Sequence, residues 1–309
     1  LFTADWHIKT TAKDVPSDWV HFKFRELFKE IYKVEPLVDI HIIGGDIFDK
    51  LPNMEELQLY FEFISNVKVP TLIFPGNHEA IKKTTTFLSY LKIVTSKINP
   101  LVTIHDKSEK SMYNGTFDII PYTELKTFNP TEFISPILFT HVRGDIPPHV
   151  KAEIPLEKLE HWDLVLAGDL HSYENCQRNI LYPGSPTTIS FHRVRTDTGA
   201  IIIDTDTLKH TFVRFKVPQL LKKTVSVGEE TPVTEYDYTV YEIEGSLDTL
   251  AQINTCANTV KKPTARSADA RLILDPKFTL VQELKEYLEY IANITDIDAV
   301  LDEFHKVQL

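Results

Sequence analysis

The freedom of this chain is limited first by the stretch from Asp39 to Lys50, D-I-H-I-I-G-G-D-I-F-D-K. A short apolar run, broken by two glycines and followed at once by carboxylates, reads as a buried strand closing in a tight turn with Asp46 and Asp49 at its tip. Burying a lone carboxylate beside an apolar strand is costly, so a cation or a hydrogen-bond donor is expected against it. The pattern recurs. Strand-like runs also end in D-W-H at 5–7, P-G-N-H-E at 75–79, T-H at 140–141 and G-D-L-H at 168–171. Each ending alone fits an ordinary turn, a helix cap or a hydrogen-bonded core histidine. Ligands of open α/β sheets gather at the carboxyl ends of strands, so five such tips together can converge on one crevice.

The rest of the pattern agrees with an α/β domain over residues 1–217. Ser17 opens a helix to about Val34, and Asn53 with Glu56 three positions later starts a second. Val69–Phe74 reads as a strand and Thr85–Val94 as a helix; further strands are expected at Val102–Ile104, Phe117–Pro121, Pro136–Thr140, Asp163–Ala167, Ile180–Ser185, Thr188–Arg195 and Ala200–Asp204. Beyond Pro218 the character changes to a small α+β domain, 218–309. It has an alternating run at Thr234–Glu244, a helical pattern over Ser246–Val260, a strand at Leu272–Leu274 and helices at Leu280–Ala292 and Asp296–Val307. The second helix is apolar on more than one face, with Leu57, Leu59, Tyr60, Phe61, Phe63 and Ile64. Such a helix is either sandwiched in the core or, with Phe87, Leu88 and Leu91, half of a homodimer face.

Composition narrows the partners. No apolar run reaches about 18 residues, so no membrane span is expected. The N-terminal L-F-T-A-D-W-H lacks the basic and apolar segments of a secretory signal, and a start at Leu1 without Met implies that a few residues precede it. Two unpaired-looking cysteines, Cys176 and Cys256, fit a reducing, cytoplasmic setting. A net charge of −11 is the wrong sign for gripping nucleic acid with the whole surface. An acidic site that recruits divalent cations can still act on a polyanion, because bound metal reverses the local sign.

Carboxylates, imidazoles and one amide oxygen suit a pair of manganese, iron or zinc ions; an all-oxygen set would favour magnesium or calcium. Asp46, on a rigid turn, is the natural bridge between ions ~3.5–4 Å apart. Such a pair acidifies a shared water for attack on phosphorus, which is metal-assisted phosphoester hydrolysis.

A-D-W-H, G-G-D-I-F-D, P-G-N-H-E, F-T-H and A-G-D-L-H-S resemble the five signature blocks of the calcineurin-like metallophosphoesterases. Within them the chain is most similar to SbcD-type DNA double-strand-break repair nuclease subunits, with Y-P-G-S-P at 182–186 matching their next strand and turn. The resemblance implies a four-layer αββα sandwich with a small α+β capping domain. It also implies a manganese-dependent exo/endonuclease acting at DNA ends with little sequence preference, in repair, recombination or replication. The partners it implies are a second copy of the chain and an SbcC-type coiled-coil ATPase. The sequence has no G-x-x-x-x-G-K loop, so ATP dependence would come from that other subunit.

Residue by residue, the resemblance implies one Mn2+ on Asp5, His7, Asp46 and His171 and a second on Asp46, Asn77, His141 and position 169. His78 would be the catalytic histidine, its ring oriented by a hydrogen bond to Asp49. Family members usually carry histidine at 169, and this chain carries Asp169. A shorter, charged ligand implies a harder second site that favours manganese over zinc. Cations beside the motifs, Lys9, Lys13, Lys82, Lys83, Arg143, His192, Arg193 and Arg195, are the expected contacts to the phosphate backbone. Two rivals share the fold: a phosphatase or cyclic-nucleotide phosphodiesterase, and a non-catalytic scaffold.

Overall fold

Successive strand residues face opposite sides of a sheet, and most strands before residue 217 are apolar on both sides, so each needs cover on two faces. The computed structural model describes residues 1–11, 15–82, 84–263, 278–291 and 296–307. Its first elements are β1 (Phe2–Thr3), α1 (Ser17–Val34), β2 (His41–Gly44), α2 (Met54–Asn66), β3 (Thr71–Phe74), β4 (Ala80–Lys82), β5 (Thr85–Thr86), α3 (Leu88–Ile98), β6 (Val102–Ile104), β7 (Glu109–Ser111) and a one-turn α4 (Met112–Gly115). There follow β8 (Phe117–Ile120), β9 (Ile137–His141), β10 (Leu164–Gly168), β11 (Ile180–Leu181), β12 (Gly199–Ile203), β13 (His210–Arg214), β14 (Leu220–Ser226), β15 (Tyr238–Gly245), α5 (Leu247–Ala251), β16 (Thr259–Pro263), α6 (Leu280–Ile291) and α7 (Ile297–Val307).

Two stacked sheets supply the cover. One is ordered β13-β12-β1-β2-β3-β6, the other β11-β10-β9-β8-β7. In the first, β1, β2, β3 and β6 run parallel while β12 and β13 are antiparallel additions. In the second, β8 to β11 are parallel and β7 is antiparallel. Ile42, Leu72 and Phe74 of one sheet meet Phe117, Ile119 and Phe139 of the other in a central layer. Their neighbours Ile43 and Ile73 point outward to Phe24, Leu27 and Ile31 of α1 and to Leu59 and Phe63 of α2. On the far face of the second sheet, Leu138, Val165 and Ala167 lie under Leu156, Leu159 and Trp162. That outer cover is built by 3-10 turns at Leu156–His161 and Pro130–Glu132.

The helices follow from local chemistry. α1 places Val20, Phe24, Leu27, Phe28 and Ile31 on one buried stripe. α2 starts in a reciprocal capping box: Asn53 accepts the Glu56 N–H and Glu56 accepts the Asn53 N–H. Leu59, Tyr60, Phe63, Ile64, Phe87 and Leu88 are all buried in the α-side core. The apolar surplus of α2 is therefore chiefly core packing; Met54 of α2 and Tyr90 and Ile93 of α3 are exposed.

Four expected elements differ. Of Ile180–Ser185 only Ile180–Leu181 is strand, because Pro183 has no N–H for a ladder and Gly184 turns the chain at φ 72°. Thr85 and Thr86 belong to a β4–β5 hairpin, so the helix begins at Leu88. Thr188–Arg195 is a loop with a single bridge, His192 to Leu221; its Thr188 hydroxyl accepts the Leu220 N–H and displaces ladder pairing. Only Leu247–Ala251 of the Ser246–Val260 run is helical, because hydroxyls such as Thr259, which accepts the Cys256 N–H, bond the backbone locally. The strand expected at Leu272–Leu274 lies outside the described residues.

The chain forms two compact units. The first comprises Leu1–Lys223, Glu230–Tyr241 and Cys256–Thr259 and holds both large sheets. The second comprises Thr224–Glu229, Glu242–Thr255 and Val260–Leu309, in which α6 and α7 pack together and bury Leu288 and Leu301. No described helix is long and apolar enough to cross a membrane.

One buried cation gives the α1 packing a pH signature. Lys23 is 5% exposed and donates to the Thr188 carbonyl, at 3.0 Å, and burial lowers its ammonium to about 7. Above the ordinary value of 10.5 the residue is neutral folded and unfolded and costs nothing. As pH falls toward 7 the unfolded chain takes the proton first, so folding weakens, and below 7 the loss is constant. Lys23→Met removes this penalty. Relative to the parent, its urea-unfolding free energy should rise by roughly 3–5 kcal/mol between pH 10.5 and 7.

Candidate metal centre

Parallel neighbours end side by side, so the tips of β1, β2 and β3 in one sheet, and of β9 and β10 in the other, collect at one edge of the sandwich. They carry Asp5 and His7, then Asp46 and Asp49, then Asn77 and His78, then His141, then Asp169 and His171. The loops there are strained. Asp5, His7, Asp46 and Asp169 have φ of 57°, 47°, 51° and 98°, a left-handed region that costs non-glycine residues of order 1–3 kcal/mol each. Cross-links hold them: the Asp5 N–H donates to the Gly45 carbonyl at 3.1 Å and the His7 N–H to that of Asp46 at 2.9 Å. Gly45 sits at φ +87°, and a Cβ on Gly76 would lie 2.2 Å from Asp46 Oδ1, so the G-G-D and P-G-N turns interlock only as glycines.

The side chains converge. His7 Nε2 lies 3.2 Å from His171 Nε2 and 3.7 Å from Asp46 Oδ2. His171 Nε2 is 3.9 Å from Asp5 Oδ1. His141 Nε2 is 2.8 Å from Asn77 Oδ1, 3.5 Å from Asp46 Oδ2 and 3.9 Å from Asp169 Oδ1. Ligand atoms of Asp5, His7 and His171, of Asp5, Asp46 and His141, and of His7, Asp49 and His78 lie mutually within 4.8 Å. Asp169 belongs to none of these three groups among the described residues.

This donor set fits cations. The His141 Nδ1–H donates to the Gly44 carbonyl at 2.8 Å, which turns Nε2 toward the Asn77 amide oxygen. His7 and His171 bring two ring nitrogens face to face, and burial lowers both, His7 to about 3, so both are neutral lone-pair donors. Burial raises Asp5 well above the usual carboxylate range, reinforced by the Asp46 charge. Asp46 is also pushed up by burial, but the His141, His7 and His78 rings outweigh this and hold it below the usual range. For His141 burial pulls down while Asp46, Asp5 and Asp169 pull up to about 10. The field at Asp46 therefore favours positive charge.

His78 stands beside the cluster with its side chain 36% exposed and Nε2 3.9 Å from Asp46 Oδ2. Its main-chain N–H donates to Asp46 Oδ1 at 2.9 Å. The expected hydrogen bond to Asp49 exists with a different acceptor: His78 Nδ1 donates to the Asp49 main-chain carbonyl at 2.6 Å. The Asp49 carboxylate instead holds Lys9 at 2.7 Å and faces His7 Nδ1 at 3.7 Å. Since a carbonyl only accepts, Nδ1 carries the proton and Nε2 is the free face.

Several residues expected near substrate are already engaged. Arg143 grips Asp169 with Nε at 3.0 Å and Nη2 at 3.4 Å. Arg195 pairs with Asp237 at 2.5 Å and donates to the Val217 carbonyl. Lys9 pairs with Asp49, His192 is half-buried beside Ser190, and Lys13 and Lys83 lie outside the described residues.

Two bracing residues escaped the sequence reading. Glu79, fully buried, accepts the N–H groups of Asp46 and Gly76, both at 2.8 Å, and of Phe48 at 3.1 Å. Burial and the Asp46 charge push it up to about 7 against those donors. The Ser185 hydroxyl bonds the Asp5 carbonyl at 2.6 Å, and its N–H donates to the His171 carbonyl, so Y-P-G-S-P closes behind two ligand loops. The signal for Glu79 was present: a carboxylate directly after His78 at a turn crowded with N–H donors.

The chain is similar to known proteins over most of its length. A family model described as calcineurin-like phosphoesterase matches residues 1–173. An Escherichia phage T5 protein named "Probable exonuclease subunit 1" is 40% identical over 97% of this chain and 96% of its own length. A phosphoesterase-named protein of Invertebrate iridescent virus 6, 244L, is 26% identical over 66% of this chain and 74% of its own. A solved structure from Thermus thermophilus aligns with a TM-score of 0.44 at 12% identity, over 70% of this chain and 97% of that one.

Glu79 offers a clean probe of how the tips are held. In Glu79→Gln the remaining oxygen can keep the Asp46 and Gly76 N–H groups, but the N–H2 then faces the Phe48 N–H and loosens the Asp46–Phe48 turn. Calorimetric titration should find Mn2+ affinity about 10- to 100-fold weaker, with the far-UV spectrum unchanged.

Proposed function

The chain belongs to the calcineurin-like phosphoesterase family, and on that basis we propose that it is a manganese-dependent DNA nuclease that hydrolyses phosphodiesters at duplex ends. The observation that carries this reading is the meeting of Asp5, His7, Asp46, Asn77, His141 and His171 in one pocket, with His78 Nε2 free at its edge. In this reading Asp5, His7, Asp46 and His171 hold one cation, and Asp46, Asn77, His141 and Asp169 hold the other. Bound there, the cations would lower the pKa of a water toward neutrality and offset charge on the phosphoryl oxygens. His78, in its imidazolium form, would then donate to the departing oxygen through Nε2, while the Asp49 carbonyl holds its Nδ1–H.

Two features support a polymeric substrate, the aromatic pair in a cavity beside the centre and the name of one relative. A cavity of about 890 Å³ opens beside His171, lined among others by Tyr173, His192, Arg195, Phe212 and Arg214. That is at the upper end of small-ligand pockets, which run to ~1,000 Å³. Tyr173 and Phe212 stack at 4.6 Å, and such aromatic walls suit bases. The phage T5 relative carries exonuclease in its name, and also subunit, which favours an assembly. The same reading takes an SbcC-type ATPase as partner, residues 218–309 as a capping domain, and a second copy at the exposed Met54, Tyr90 and Ile93 face.

End-labelled duplex with Mn2+ tests the proposal, alone and with the ATPase partner. Cleavage products should appear, and turnover of simple phosphomonoesters without DNA cleavage would favour a phosphatase instead. His78→Leu should keep its metal and lose about 10²- to 10⁴-fold in cleavage. Asp46→Ala should lose metal and cleavage together, because Asp46 would belong to both ligand sets. If His78→Leu stripped the metal, its assigned role would be wrong.

A further inference from the structure

Asp169 stands where the family resemblance implies a histidine, and the fold has built a partner for it. Its backbone is pinned: the N–H donates to both Asp5 oxygens, at 3.0 and 3.2 Å, and φ is held at 98°. What remains free is the side-chain torsion, and the Arg143 guanidinium sets it with a two-pronged grip, Nε to Oδ2 and Nη2 to Oδ1. The side chain of Asp169 is 6% exposed and that of Arg143 is 44% exposed, so the guanidinium lies on the solvent side of the carboxylate. On the inner side Oδ1 lies 3.9 Å from His141 Nε2, toward Asn77 and Asp46.

Charge gives the pair its meaning. A histidine at 169 would offer a neutral donor; an aspartate adds a full negative charge to a pocket that already holds Asp5 and Asp46. The guanidinium cancels that charge from outside, so Asp169 and Arg143 together are neutral, as an imidazole is. We propose that Arg143 is a positioning residue for the second cation, orienting Asp169 toward it and balancing its charge, a role that rests on the metal-centre reading above. Arg143 thereby does through a carboxylate what outer partners of metal-bound histidines do directly. Its place two residues after His141 follows from topology: β9 and β10 are paired in register, His141 opposite Gly168, so residue 143 emerges next to residue 169.

The test is Mn2+ binding by the full chain, read by calorimetry and by electron paramagnetic resonance of the spin-coupled ion pair, without turnover. Arg143→Gln should weaken the second Mn2+ about 10- to 100-fold and leave the first unchanged. In an Asp169→His background the same change should do nothing, because an imidazole needs no guanidinium. Equal loss in both backgrounds would mean a merely structural role and overturns the inference, as does tighter second-site binding in Arg143→Gln, which would mean that the pair competes with the cation. A parent that binds only one Mn2+ overturns it too. Two bound ions with the predicted background dependence, but no DNA cleavage, would sink the nuclease reading and leave this one standing.

Discussion

Two carboxylates buried beside each other, Asp5 and Asp46, are the constraint to which the rest of the structure answers. Neither reaches solvent, and each raises the energy of the other's ionised form. Asp46 stays charged because His141, His7 and His78 surround it and because the His78 N–H binds its Oδ1. A pocket arranged this way has a standing demand for positive charge at its centre, and the neutral rings of His7 and His171 are ready donors to it.

Holding like charges together requires a stiff frame. The two stacked sheets supply it through a core of large side chains, and Trp6, between Asp5 and His7, is wholly buried against Phe28 and Phe63. The ligand loops leave the strands in left-handed backbone conformations that the sheets and cross-loop bonds enforce. Glu79 joins the Asp46 and Gly76 turns through three N–H donors, and Ser185 joins the Asp5 and His171 loops. Strain at the tips and rigidity beneath them are two sides of one arrangement, since the strained turns persist only where the surroundings over-determine them.

The same charge logic reaches the rim. Lys9 balances Asp49 and Arg143 balances Asp169, so the mouth of the pocket is close to neutral in a chain of net charge −11. Paired charges thus stand at this edge in place of an open acidic surface.

Much of this could be read along the chain. Five strand ends bearing Asp, His and Asn, the glycines at the interlocking turns and the Asn53–Glu56 capping box are local signals, because strand period, turn chemistry and capping are set by near neighbours. What only the folded chain decided are relations between distant residues. Thr188–Arg195 has strand-like composition but folds as a loop because Thr188 bonds Leu220. Asp49 orients His78 with its carbonyl because Lys9 claims the carboxylate. Arg143, legible only as a stray cation, became the partner of Asp169 through the register of β9 and β10. Residue types declare what chemistry is available. Which donor meets which acceptor depends on the register and twist of the sheets, and no local stretch of sequence contains those.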